Sequence, residues 1–135
     1  MSEINRREKD FAQENANRIV KAIFESDKRI RYCAVIGEKG EELVGGIRPG
    51  IKSLEPGIGS AKLRMQSLIG LGMTQSWNKL HGDADYMIAH RDRVMFFIFP
   101  LSSIRLLLAS VEPDYPLSEF PKVLDIVSGL RKKNH

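Results

Sequence analysis

The chain has 135 residues, 42% hydrophobic and 28% charged, with a net charge of +4, the make-up of one globular domain that can bury a core without disulfide or metal staples. No stretch approaches the roughly 20 apolar residues of a membrane-spanning helix, and the polar start Met1-Ser2-Glu3-Ile4-Asn5-Arg6-Arg7 lacks the apolar centre of a signal peptide, so a cytoplasmic address is expected. The pI is about 9.3, but the cations are scattered apart from Arg6-Arg7 and Arg131-Lys132-Lys133, without the dense basic stripe and interleaved aromatics of a dedicated nucleic-acid binder.

Phe11, Ala12, Ala16, Ile19, Val20, Ile23 and Phe24 recur at helical spacing and predict an amphipathic helix over 3–27. Ile30, Tyr32, Ala34 and Ile36 alternate with Arg31, Cys33 and Val35, the period of a strand, and Glu38-Lys39-Gly40 turns the chain into a second strand over 42–48. Cys33 is the only cysteine; it excludes an internal disulfide and reads as a small buried filler. Between 45 and 59 stand five glycines and two prolines, too much punctuation for a regular element.

A long helix is predicted over 58–80, closed by His81-Gly82, where glycine can take positive φ. Its main apolar stripe, Ala61, Met65, Leu68, Ile69, Met73, Trp77 and Leu80, is assigned to the core. Three strands follow over 85–90, 93–99 and 103–111. Residues 94–99 are all apolar and 104–111 nearly so, hence both strands must be covered on two faces. A helix over 117–130, with Leu117, Phe120, Val123, Leu124 and Val127 on one face, closes the chain.

The expectation is therefore a single α/β (α+β) domain over 1–135, in the order helix-strand-strand-helix-strand-strand-strand-helix, with an antiparallel five-stranded sheet between helical layers. That order, the length and the doubly apolar central strands resemble the roadblock / dynein light chain family of the profilin-like folds. The stretch Leu63-Arg64-Met65-Gln66-Ser67-Leu68-Ile69-Gly70 with Trp77, followed by Ala84-Asp85-Tyr86 and His90-Arg91-Asp92, is also similar to a group of short archaeal cytoplasmic proteins without a settled activity.

The roadblock resemblance implies a homodimer interface on the long central helix and the third strand, here within 60–90 and including Tyr86 and Ile88, and a platform for small Ras-like GTPases or larger scaffolds. The residues offer their own support: Leu63, Ser67, Gly70, Leu71 and Thr74 form a second helix face, where small side chains allow close approach and two leucines supply apolar area. The competing reading is that this face is simply solvated.

Other chemistry is sparse. Gly57, Gly59, Ser60 and Lys62 at the mouth of the long helix form a candidate anion site, with Arg48, Lys52 and Arg64 within call, but no Gly-Lys-Ser/Thr marks a P-loop. His81, His90 and His135 share no metal-binding spacing, and Asp83 and Asp85 beside His81 read as a polar turn. A triad of Ser102 or Ser103 with His90 and Asp92 lacks a nucleophile elbow. The expectation is a non-enzymatic homodimeric adaptor without cofactor or metal. A PAS-like small-ligand sensor and a weak nucleic-acid binder using the basic ends are the alternatives.

Overall fold

The computed structural model describes residues 3–55, 57–102 and 104–131, with side chains from residue 13 onward. Helix α1 (Glu3–Ser26) leads into strands β1 (Ile30–Ile36) and β2 (Glu42–Ile47), and helices α2 (Gly59–Gln75) and α3 (Asn78–His81) follow. Strands β3 (Met87–His90), β4 (Met95–Pro100) and β5 (Leu106–Val111) then precede α4 (Phe120–Arg131), which is entered through a 3₁₀ turn at Leu117–Glu119. The sheet order is β2-β1-β5-β4-β3, and every neighbouring pair is antiparallel. The mixed α/β architecture read from the hydrophobic pattern is the one observed.

Alternation along each strand divides the sheet into two faces. Cys33, Val35, Met95, Phe97, Phe99, Leu107, Ala109 and Val111 point to one side, where Ala16, Val20 and Ile23 of α1 and Phe120, Val123 and Val127 of α4 cover them. Phe97 is the pivot: its ring meets Tyr115 at 5.5 Å and Phe120 at 4.8 Å, both edge-on, the arrangement aromatic quadrupoles favour. Ala34, Ile36, Leu106 and Leu108 point to the other side, against Leu71 of α2. Cys33 is fully buried, and burial pushes its thiol pKa up, as befits a core filler. Phe11 and Ala12, assigned to the inner face of α1, lie outside the described side chains.

Arg48 fixes the corner between α1 and β2, and Gly45 the approach of β2 to β1. The guanidinium of Arg48 donates to the carbonyls of Phe24 (2.7 Å), Asp27 (2.8 Å) and Ile30 (2.7 Å) and lies over the Phe24 ring, so it ties the end of α1 and the turn after it to the start of β1. Gly45, at φ +95°, lets β2 lie close on β1; a Cβ there would stand 2.1 Å from the Cys33 carbonyl oxygen.

The single helix expected over 58–80 is divided. The N–H groups of Ser76 and Trp77 bond the carbonyls three residues back, Met73 and Thr74, and the Ser76 hydroxyl also donates to the Met73 carbonyl at 2.6 Å. The ladder tightens there to three-residue bonds, the pattern of a helix end, and α3 restarts after it. Gly82 has the expected positive φ of 84°. The last three strands begin later than predicted, and for β4 and β5 turns take the first residues: Arg91 N–H bonds Val94 O, and the N–H groups of Leu101 and Ser102 both bond Arg105 O.

Candidate docking surface

Helix α2 reaches the sheet through small residues. Leu71 is 1% exposed and Ser67 is buried, with its hydroxyl donating to the Leu63 carbonyl at 2.9 Å. Thr74 donates to the Met87 sulfur at 3.4 Å, and Leu63 and Gly70 are half-buried at the flank. The close approach permitted by Ser67 and Thr74 is therefore spent on the molecule's own sheet, whereas a Cβ on Gly70 would meet nothing within 4 Å. The two helix faces are exchanged relative to the sequence reading.

The stripe assigned to the core is the one that faces water. Met65 is 42% exposed, Ile69 60%, Met73 69%, Trp77 54% and Leu80 77%. Ile69 and Met73 stand two residues either side of Leu71, about 200° round the helix at 100° per residue, and so on its opposite side. Of the original stripe only Leu68 packs on the sheet cluster, and only in part. Apolar side chains recurring every four residues on the outer side of a helix form a continuous ridge, unlike scattered surface leucines.

Strand β3 meets the sheet-facing side of α2 through Met87, whose sulfur accepts from Thr74. It pairs only with β4, so one edge carries backbone donors and acceptors with no strand partner among the described residues. By register Met87 shares the α2 face with Ile98, whereas Ile88 opposes Phe97 on the other face. Tyr86, with its ring 4.8 Å from Phe120, and Ile88 are both exposed at the surface. Of the predicted interface residues these two remain available, while Ser67 and Leu71 are consumed inside the fold.

The remaining candidates are placed as follows. Gly57, Gly59, Ser60 and Lys62 gather around the first turn of α2, where Ser60 Oγ accepts from Arg64 Nη1 at 2.9 Å and Lys62 is exposed. Arg64 also donates to the Gly40 carbonyl at 2.7 Å and stands 3.6 Å from Glu42. Arg48 is occupied with carbonyls, as described above, so neither arginine is a free anion ligand. His90 and Ser102 lie at opposite ends of β4, and His90 Nε2 is 3.3 Å from the Pro113 carbonyl; no triad forms with them, and Ser103 lies outside the described residues. His81 stacks on Trp77, rings 5.2 Å apart and nearly parallel. No group of three or more His, Cys, Asp or Glu among the described residues could hold a metal ion. Arg131, from the basic C-terminal cluster, turns inward to the carbonyls of Pro100 and Asp85. The side chains of Arg6, Arg7, Lys132, Lys133 and His135 lie outside those described. No helix among the described residues is long and apolar enough to cross a membrane.

No protein-family model matches the sequence, and no curated protein is similar to it. Solved structures are similar in three dimensions. The gliding protein MglB of Thermus thermophilus superposes with a TM-score of 0.68 at 15% identity, covering 90% of this chain and 92% of that one. The roadblock/LC7 domain of Streptomyces avermitilis gives 0.62 at 10% identity, covering 87% and 92%. The chain has a roadblock-like fold. An MglB with a tetrameric arrangement superposes equally well, at 0.68 and 16% identity over 90% of this chain and 91% of that one. The likeness covers about nine-tenths of the chain in each case.

Proposed function

We propose that this protein is a non-enzymatic homodimeric adaptor or regulator, in which two copies join through α2 and β3 and the dimer is a platform for a small Ras-like GTPase or a larger scaffold. The observation that carries this reading is the exposed ridge of Met65, Ile69, Met73, Trp77 and Leu80 in a molecule whose β3 edge is also unpaired among the described residues. A ridge and an edge of this kind are self-complementary under a two-fold axis: helix packs on helix while strand pairs with strand. Tyr86 and Ile88 extend the surface on the other face of β3. A roadblock-like fold and a neighbour whose name records a tetrameric arrangement support association as the mode of action.

Light scattering coupled to size exclusion at tens of micromolar tests the assembly. The wild type is expected to run as a dimer. Ile69→Glu with Met73→Glu, on exposed positions where folding cost is small, is expected to give a folded monomer, because two charges would be buried without partners. A monomeric wild type, or a double variant that still dimerises, would sink this interface. A GTPase added to the dimer should co-elute with it and be lost from the monomeric variant.

A further inference from the structure

Helix α2 is held to the sheet by little apolar area. Leu71 and Ser67 are its buried side chains, and the Ser67 hydroxyl is spent on its own helix. One buried leucine pins a point on a helix without fixing its roll or tilt, so the direction of the ridge needs a second anchor. Arg64 stands seven residues before Leu71, two turns at about 100° per residue, and so within about 20° of the same line along the helix. Met73, nine residues after Arg64, lies about 180° away on the ridge side.

The part-buried Arg64 guanidinium supplies that anchor by joining its own helix to the β1–β2 hairpin. Nε donates to the Gly40 carbonyl of the hairpin turn at 2.7 Å, and Nη1 donates to Ser60 Oγ in the first turn of α2 at 2.9 Å. The Glu42 carboxylate of β2 stands 3.6 Å from Nη1 and is itself fixed, because it accepts the Tyr32 hydroxyl of β1 at 2.5 Å. The clasp thus runs from β1 through β2 to α2. It also reaches the ridge: a Cβ on Gly40 would stand 2.5 Å from the Met65 sulfur, so the first ridge side chain seats on the turn whose carbonyl holds Arg64. At the far end of the helix the side-chain bonds are longer, Thr74 to the Met87 sulfur at 3.4 Å and Gln75 to the Ser102 carbonyl at 3.3 Å.

From this geometry we infer that Arg64 is the positioning residue of the docking ridge. With Leu71 it sets the roll of α2, and so the direction in which Met65, Ile69 and Met73 face a partner. The consequence for assembly rests on the docking reading, whereas the clasp acts within one chain and is read there separately. A planar guanidinium serves both acceptors and faces the Glu42 charge at once; lysine keeps the charge but not the fork, and methionine keeps apolar bulk alone.

Arg64→Met, Arg64→Lys, Glu42→Gln and Lys62→Met test it, by light scattering over a dilution series of the full chain and by amide exchange at a concentration that favours monomer. Arg64→Met is expected to raise the dimer dissociation constant about ten-fold, the scale of one charge-assisted hydrogen bond. Arg64→Lys should recover part of that loss. Glu42→Gln, which leaves the Tyr32 hydroxyl an acceptor but removes the charge facing Arg64, should weaken the dimer about three-fold. Lys62→Met, which takes a cation from the same stretch without touching the clasp, should change nothing. In the monomer, Arg64→Met should quicken exchange about ten-fold in the first half of α2 and in the β1–β2 turn, with α4 as in wild type. Wild-type exchange in Arg64→Met, an unweakened dimer of that variant, or an equal weakening by Lys62→Met would overturn the assignment. If circular dichroism shows Arg64→Met unfolded, Glu42→Gln decides by the same two readouts. A monomeric wild type sinks the dimer reading alone, and the exchange comparison then decides the clasp.

Discussion

The two faces of the sheet are built on different terms. On one side α1 and α4 bury an aromatic and aliphatic cluster around Phe97, Phe99, Phe120 and Val123, and the corner is closed by Arg48. On the other side α2 buries Leu71 and Ser67, while five large apolar side chains along α2 and α3 stand in water. The first face is finished within one chain. The second is thin where it meets the sheet and apolar where it meets solvent, the pattern of a layer that completes itself by association. The molecule thus separates the source of its stability from the surface proposed for docking.

Truncations sharpen that contrast most. Phe97→Ala, at a fully buried ring in the centre of the finished face, should cost about 3–5 kcal/mol, whereas Leu71→Ala beneath α2 should cost about 2–3 kcal/mol, because the small contact there can collapse around the gap. Urea unfolding at a concentration low enough to favour monomer measures both. Equal losses would mean that α2 contributes as much to the core as α1 and α4 do, and the contrast would dissolve.

Next in size is Arg48→Lys. Lysine keeps the charge but cannot span three carbonyls with a planar fork, so about 1–2 kcal/mol should be lost. Amide exchange should quicken at the end of α1 and in β2 while α2 stays as it was. An effect spread evenly over the chain would argue against Arg48 as a local clasp.

How much of this was legible in the sequence differs between the two faces. Residues 94–99 and 104–111 are apolar at odd and even positions alike, and strands of that kind need two cover layers, so the three-layer plan could be read directly. The orientation of α2 could not. Its wheel is apolar on two sides, and small residues at Ser67, Gly70 and Thr74 signal close approach without naming the partner, which for Ser67 and Thr74 is the sheet. Volume would have been the better guide: Ala34 and the branched side chains of Ile36, Leu106 and Leu108 leave little depth beneath the helix, which Ser67 and Leu71 fit and a row of Met, Ile and Trp does not. Arg48 carried no local signal, because its partners lie 18 to 24 residues earlier.

The smallest expected effect lies in the turn that joins α1 to β1 on the finished face. Asp27 Oδ1 accepts the Arg29 N–H at 2.8 Å, and its carboxylate takes the Arg29 guanidinium through both oxygens, at 2.9 and 2.7 Å. Those side-chain bonds outweigh the cost of partial burial and hold the Asp27 pKa down at about 2. A carboxyl whose folded pKa lies below its unfolded value of about 3.9 adds stability above that value and surrenders it as pH falls toward 2. Asp27→Asn keeps an oxygen for the Arg29 N–H but loses the charge. Because the Arg29 side chain is 33% exposed, screening limits the loss to about 1 kcal/mol or less. Urea midpoints of wild type and variant should therefore differ at pH 7 and converge near pH 2. A gap that persisted at pH 2 would assign the effect to the shape of the turn and not to the ion pair.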